Sequence, residues 1–466
     1  MIQLPALVAL ALLALQPGPQ LSEAAFSKSV ADRIAASGVP GAALAVLKDG
    51  ETIYRQAAGL ADVERKVAYS PDLAFEIGSL SKQFAATAIL MLVAEGKLAL
   101  ADPIGSIVDD LPEAWRAATV EQVMHHASGI PDYEEIAGYD YYNEPREPAD
   151  VVRVAAQRKP AFRPGDRFEY SNTGYYLLSV IVEKRSGLGL DRFLAKRVFE
   201  PLGMSSTYTS ERPSGVAVAT GYHGRTGTRT AQPPIAWSST LGAGGIVSTL
   251  ADLARWDAAL YTDRLLPAPL RAKLWEPARA NDGSTIPYGA GWFTQRTRDV
   301  EHLSHSGQTN GFSCDYMRFP EQHLSVLVHF NTYGGRVGSI APAVAAHFLP
   351  ALNYYSLRVP DDPDPECTAE HLAALRQAVL GEGELDLLGD GMRRFATEAS
   401  FAREREPLRS LLDSSRSFRF LRVRSLRGEE GELEEFLYRQ AHAAGETFWT
   451  MRFAEGVLVS LNWEDE

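Results

Sequence analysis

Ser79-Leu80-Ser81-Lys82 sets an alcohol and an amine three residues apart at the head of a run, Gln83 to Ala94, whose only polar members are Gln83 and Thr87. The run predicts a buried helix from Lys82 to about Glu95, stopped by Gly96. Residues three apart on a helix share a face. A serine hydroxyl is a poor nucleophile near neutral pH, and an amine one turn on is placed to take its proton. A free lysine has a pKa of about 10.4, so acting as a base near pH 7 costs about 4 kcal/mol against its charged form. Burial can supply that shift, and the helix's positive end disfavours a further cation while attracting an oxyanion. The competing structural reading makes Ser79 an N-cap and Lys82 a surface lysine of the first turn.

Two further segments carry polar groups suited to the same chemistry. A Pro164-Gly165 turn leads to Tyr170-Ser171-Asn172, read as an exposed loop before an amphipathic helix. Tyr170 can relay a proton and Asn172 can hydrogen-bond an amide. Tyr141-Tyr142-Asn143 matches the same three-residue pattern, but it lies in a polar, acidic segment, whereas a turn and a helix hold Tyr170 rigidly. Near residue 300, His305-Ser306-Gly307-Gln308 is followed by two β-rich runs, Phe312 to Phe319 and Leu324 to Phe330. This places His305 on a strand, with Gly307 allowing a ligand close to the backbone.

In this order the three segments resemble the serine β-lactamase-like family, which includes class C β-lactamases, DD-peptidases, D-aminopeptidases and related esterases. Its signatures are Ser-x-x-Lys, Tyr-x-Asn and Lys-or-His-x-Gly. Gln122 to Ile130, Pro201 to Met204, Gly242 to Gly245 and Tyr288 to Trp292 add to the likeness, which covers roughly residues 27 to 350. The resemblance implies that Ser79 is the nucleophile and that Lys82 and Tyr170 handle its proton. It leaves open which of the two acts first. Asn172, His305, Gly307 and Gln308 would bind substrate, with an oxyanion hole formed by the backbone N–H groups of Ser79 and Gln308. A positioned base contributes about 10²–10⁴-fold and one oxyanion donor about 10²–10³-fold, so no single part suffices. His305 stands where many relatives carry lysine, and would supply hydrogen bonding or partial positive charge. That is a weaker grip on a substrate carboxylate, which inclines the reading toward an esterase, D-aminopeptidase or DD-peptidase-like enzyme rather than a β-lactamase. A reading of another class is a non-catalytic ligand-binding or sensor protein on the same fold, which need not keep both Ser79 and Lys82.

No cofactor is expected. The adjacent His125 and His126 show no third or fourth metal ligand and are read as structural, so no metal is expected. Tyr133, Tyr139, Tyr141 and Tyr142 cluster ahead of Tyr170, either walling an acyl pocket or anchoring a loop.

The fold class that would position these groups is α/β (α+β), the serine β-lactamase/transpeptidase-like fold. Apolar runs at Ala42 to Val46 and Thr52 to Ala58 around Lys48-Asp49-Gly50 predict a hairpin. The strands near His305, Phe312 and Leu324 would join it in one antiparallel sheet, with helices beginning near Ser27 and Val337 packed on it and a mainly helical region over residues 72 to 285. Ser79, Tyr170 and His305 would meet where sheet and helices adjoin.

At 466 residues the chain exceeds one domain, and its 45% hydrophobic content provides ample core. A formal charge of −13 without a basic stripe repels phosphate backbones and argues against nucleic-acid binding. The expected partner is a small-molecule ester, amide or D-amino-acid peptide substrate, and the oligomeric state is left open. Leu4 to Leu15 is an apolar run of secretory length before a small-x-small site at Ser22-Glu23-Ala24, so residues 1–24 read as a signal peptide and the protein as periplasmic or secreted. The run is too short for a stable membrane span. Residues 25–355 form the hydrolase domain, 356–366 a linker rich in Asp and Pro, and 367–466 a small α+β accessory domain of cystatin-like or NTF2-like pattern. Within the last, helical patterns at Thr368 to Leu380 and Met392 to Leu412 precede four β-rich runs. Cys314 and Cys367 could pair or remain thiols.

Overall fold

Asp49 and Gly50 both take positive φ, 53° and 79°, which matches the twist of a two-residue hairpin and joins the strands Gly41–Lys48 and Glu51–Asp62. The computed structural model describes residues 22–224, 227–297, 300–334, 340–352, 362–398, 401–428, 431–442 and 445–465. The hairpin belongs to a seven-stranded sheet in the order 293–297, 300–308, 313–319, 324–330, 41–48, 51–62, 67–68, every neighbouring pair antiparallel. A bulge after Val46 leaves Ile53 unpaired and half exposed.

The central strands Gly41–Lys48, Ser313–Phe319 and Leu324–Phe330 are buried along almost their whole length because both of their faces are covered. Ala42, Leu44 and Val46 pack with Val326 and Val328 beneath the helices Glu23–Ala36 and Ile340–Phe348, through Phe26, Val30, Ile34 and Val344. Ala43, Ala45 and Leu47 face the opposite way, into the core of the helical region. The expected start of the last helix near Val337 lies outside the described residues.

The helix Ser81–Ala94 is the axis of that second core, with Ser81 through Leu92 all buried. Gly96 at φ 68° ends it, and Lys97 N–H returns to Leu92 O at 3.0 Å. The helix Asn172–Ser186 lies against it. It was expected to be amphipathic, yet residues 172–182 are buried on every side because it runs through the centre of the helical region.

The described chain divides into two compact units, within residues 19–353 and 354–466. The second holds helices Pro365–Leu380, Asp390–Thr397 and Ala402–Asp413, then a four-stranded antiparallel sheet in chain order, Ser417–Gly428, Gly431–His442, Gly445–Ala454 and Val457–Asp465. Leu375, Trp449, Met451 and Leu458 lie in its core. The first helix begins at Pro365, inside the expected linker, because Asp364 caps it and proline suits a first turn. The segment expected as one helix from Met392 to Leu412 is two. Among the described residues no helix is long and apolar enough to cross a membrane.

Candidate active site

Ser79 sits in the 3₁₀ turn Gly78–Leu80 that feeds the helix Ser81–Ala94. Two glycines let the turn meet the sheet. Gly78 has φ +51°, and a Cβ there would lie 2.5 Å from Gln308 N; a Cβ on Gly307 would lie 2.1 Å from Ile77 O. Any larger residue at either position would force the end of the strand Val300–Gln308 away from Ser79. The backbones of Ser79 and Gln308 are therefore brought to one place.

Lys82 is fully buried, and its Nζ lies 3.0 Å from Ser79 Oγ, 2.7 Å from Asn172 Oδ1 and 2.7 Å from the carbonyl oxygen of Ala243. It also lies 4.8 Å from the centre of the Tyr170 ring. Burial brings its pKa down to about 7, against the opposing pull of the Glu134 and Asp132 carboxylates. The Asp132 carboxyl is itself pushed up to about 6 by burial. Asn172 ties these groups together, its Nδ2 donating to Asp132 Oδ2 at 2.9 Å and Glu134 Oε2 at 3.1 Å while its Oδ1 faces Lys82.

Several sequence expectations change here. The Tyr170 segment is not an exposed loop: Tyr170 is half-buried and Asn172 is only 5% exposed. Burial pushes the Tyr170 phenol well above its ordinary value, with a hydrogen bond to Ser79 pulling the other way. Both ends of the Asn172 amide are engaged within the protein, by Lys82 on one side and Asp132 and Glu134 on the other. His305 carries no partial positive charge. Its Nδ1 donates to Ser306 O at 2.6 Å, so its Nε2 accepts from the Tyr288 hydroxyl at 3.1 Å, and burial lowers its pKa to about 3.

Asp132, Glu134, Tyr288 and His126 escaped sequence reading as site residues, although His126 and Tyr288 fall in stretches that supported the family likeness. Asp132 caps the short helix Tyr133–Ala137, and that local role is the signal that could have located it. Of the tyrosine cluster, Tyr133 is a core anchor bonded to Ser239 O, while the Tyr142 hydroxyl donates to Glu134. Asn143 Oδ1 accepts from Asn310 Nδ2. The rejected Tyr141-Tyr142-Asn143 pattern thus braces the site from outside. His125 Nδ1 pairs with Tyr288 O at 3.0 Å. Among the described residues no group of three His, Cys, Asp or Glu could hold a metal. Cys314 and Cys367 are free thiols.

A family model described as Beta-lactamase matches residues 26–348. The chain is 31% identical over 343 residues to a D-aminopeptidase of Gluconobacter oxydans, covering 70% of this chain and 60% of that protein. It is 30% identical over 300 residues to a penicillin-binding protein of Bacillus subtilis, covering 60% and 66%. It therefore spans less than two thirds of the length of these relatives. Among solved structures it is similar to the D-amino acid amidase of Ochrobactrum anthropi SV3, at 26% identity and a TM-score of 0.60, over 71% of this chain and 99% of that one. The octameric penicillin-binding protein homologue of Pyrococcus abyssi, at 22% identity and a TM-score of 0.63, shares the fold over 95% of this chain and 96% of its own. With residues 26–348 matched and the fold shared, the chain belongs to the beta-lactamase family, serine hydrolases of the β-lactamase fold.

Proposed function

We propose that the protein is an exported hydrolase that cleaves an amide or ester of a D-amino acid bearing a free amino group, through an acyl-enzyme on Ser79. The observation that carries this reading is the 3.0 Å separation of Lys82 Nζ and Ser79 Oγ in an enclosed turn, with Lys82 lowered to about 7. Lys82 is the better first base, since a phenol held well above 10 stays protonated. Neutral Lys82 takes the Ser79 proton as Oγ attacks the substrate carbonyl. The backbone N–H groups of Ser79 and Gln308 hold the oxyanion. Tyr170 passes a proton to the departing amine or alcohol, and water then frees the acyl group by the same steps in reverse.

The substrate class is supported by the named activities of the relatives, D-aminopeptidase and D-amino acid amidase. Charge agrees. Two carboxylates, Asp132 and Glu134, adjoin Lys82 and Asn172, while His305 is neutral. Such a site suits a substrate ammonium better than the carboxylate of a β-lactam or of a peptide ending in D-alanine. The export part of the reading rests on Leu4 to Leu15, outside the described residues.

The reading is tested by turnover of D-alanine 4-nitroanilide, its L enantiomer, its N-acetyl derivative and a chromogenic cephalosporin, alongside mass spectrometry after a fluorophosphonate. The free D-amine is expected to be preferred, the adduct to sit on Ser79, and Ser79→Ala to lose more than about 10³-fold in kcat. Equal turnover by Ser79→Ala would refute catalysis through Ser79 and favour a ligand-binding protein.

A further inference from the structure

His126 is held in an uncommon conformation, φ 57°, and its side chain is 1% exposed. It touches the segment that carries Tyr170 twice. Its carbonyl oxygen accepts the N–H of Glu169 at 2.9 Å, and its Nδ1 accepts the N–H of Ser171 at 3.0 Å. These are the residues on either side of Tyr170. Between the two bonds the imidazole lies against the phenol ring, centroids 4.2 Å apart and planes 31° apart. Phe168, Tyr175 and Tyr288 make the ring's other contacts at 5.8 Å, 5.0 Å and 4.7 Å.

The bond to Ser171 fixes the chemistry of the imidazole. A backbone N–H can only donate, so Nδ1 must be unprotonated and, in the neutral ring, Nε2 carries the hydrogen. Among the described residues that Nε2 has no hydrogen-bond partner in its buried site. A packing histidine gains nothing from an unmet donor, whereas a ring retained for its Nδ1 acceptor and its flat face tolerates one. Protonation would place a second hydrogen on Nδ1, directly opposing the Ser171 N–H. The titratable groups around it, Lys82, His305 and His125, with Tyr170, Tyr175 and Tyr288 against the ring, add no negative charge to favour the imidazolium.

We propose that His126 is a positioning residue for Tyr170: its neutral Nε2–H tautomer clamps the backbone on both sides of the phenol and sets the hydroxyl against Ser79. The inference rests on the hydrolase reading above, and Ser79→Ala serves as the control that tests that reading separately.

The test uses the full chain in four forms, wild type, His126→Asn, His126→Leu and Tyr170→Phe, with the double variant His126→Leu/Tyr170→Phe. Asparagine tolerates positive φ and can present its Oδ1 where Nδ1 stood; leucine can do neither. His126→Leu is expected to lower kcat by about 10²-fold, the effect of misplacing a reacting group by about 1 Å, with KM little changed. His126→Asn should recover most of that loss, and the double variant should be no slower than Tyr170→Phe, because the clamp has nothing left to position. A double variant slower by the full His126→Leu factor overturns the proposal, as does a His126→Asn as impaired as leucine. Should leucine prevent folding, the wild type still decides the matter through ¹⁵N-histidine NMR. An Nε2–H signal for His126 that does not titrate between about pH 5 and 8 is expected, and a ring that titrates there overturns the clamp.

Discussion

Lys82 and His305 show how a residue's chemistry is set by what surrounds it rather than by its type. Burial lowers both pKa values, Lys82 to about 7 and His305 to about 3. For Lys82 this creates a base that is half neutral near pH 7; for His305 it removes the cation that a lysine would have supplied. In the proposed mechanism Lys82 acts only when deprotonated, so kcat/KM is expected to climb with pH through an inflection near 7. Glu134 favours the ammonium form, so Glu134→Gln should move that inflection to lower pH. A pH–rate profile of the two proteins checks this, and an inflection that stays in place or moves upward contradicts Lys82 as the first base.

At the scale of elements, the site depends on one strand end pressing against one turn. Gly307 faces Ile77 O and Cys314 Sγ, which an added Cβ would meet at 2.1 Å and 2.7 Å. Relief from such contacts requires the strand Val300–Gln308 to move, carrying the Gln308 N–H away from Ser79. Gly307→Ala is expected to reduce kcat/KM by about 10²-fold or more and to lower Tm. Unchanged ester turnover and fluorophosphonate labelling would show that this close approach is not needed. The helix Ser81–Ala94 has no such freedom, because burial through Leu92 holds Lys82 in register with Ser79.

On the scale of the whole molecule, the sheet joins the two ends of the larger unit. The first strand, Gly41–Lys48, pairs with the last, Leu324–Phe330, and the helices Glu23–Ala36 and Ile340–Phe348 cover both. Removal of residues 1–24 would delete the N-cap Ser22, whose Oγ accepts from Ala25 N at 3.3 Å, at a cost of about 1 kcal/mol. Phe26, Val30 and Ile34, which anchor that helix, would all remain. If residues 1–24 are the cleaved signal peptide of the proposed exported hydrolase, the mature protein begins after Ala24 and is expected to fold, as mass spectrometry of its N-terminal peptide can determine. A native protein that keeps residues 1–24 would contradict export by cleavage.

What the sequence by itself determined are the features that repeat at short range. The Ser79–Lys82 spacing and the apolar run behind it specify a buried helix, Asp49-Gly50 specifies a hairpin, and β-rich runs specify the later strands. The order of the three polar segments pointed to the family, and Ser79, Lys82, Tyr170 and Gly307 lie together as that order implied. Only the tertiary structure decided charge and partnership. Lys82 meets Asn172 and Ala243, 90 and 161 residues away in sequence, and His126 meets Ser171 across 45. The spacing said nothing of Asp132 and Glu134 beside Lys82, of the neutral His305, or of an Asn172 turned inward. Periodicity is a property of neighbours along the chain, whereas desolvation and Coulomb attraction depend on what the fold packs around each group.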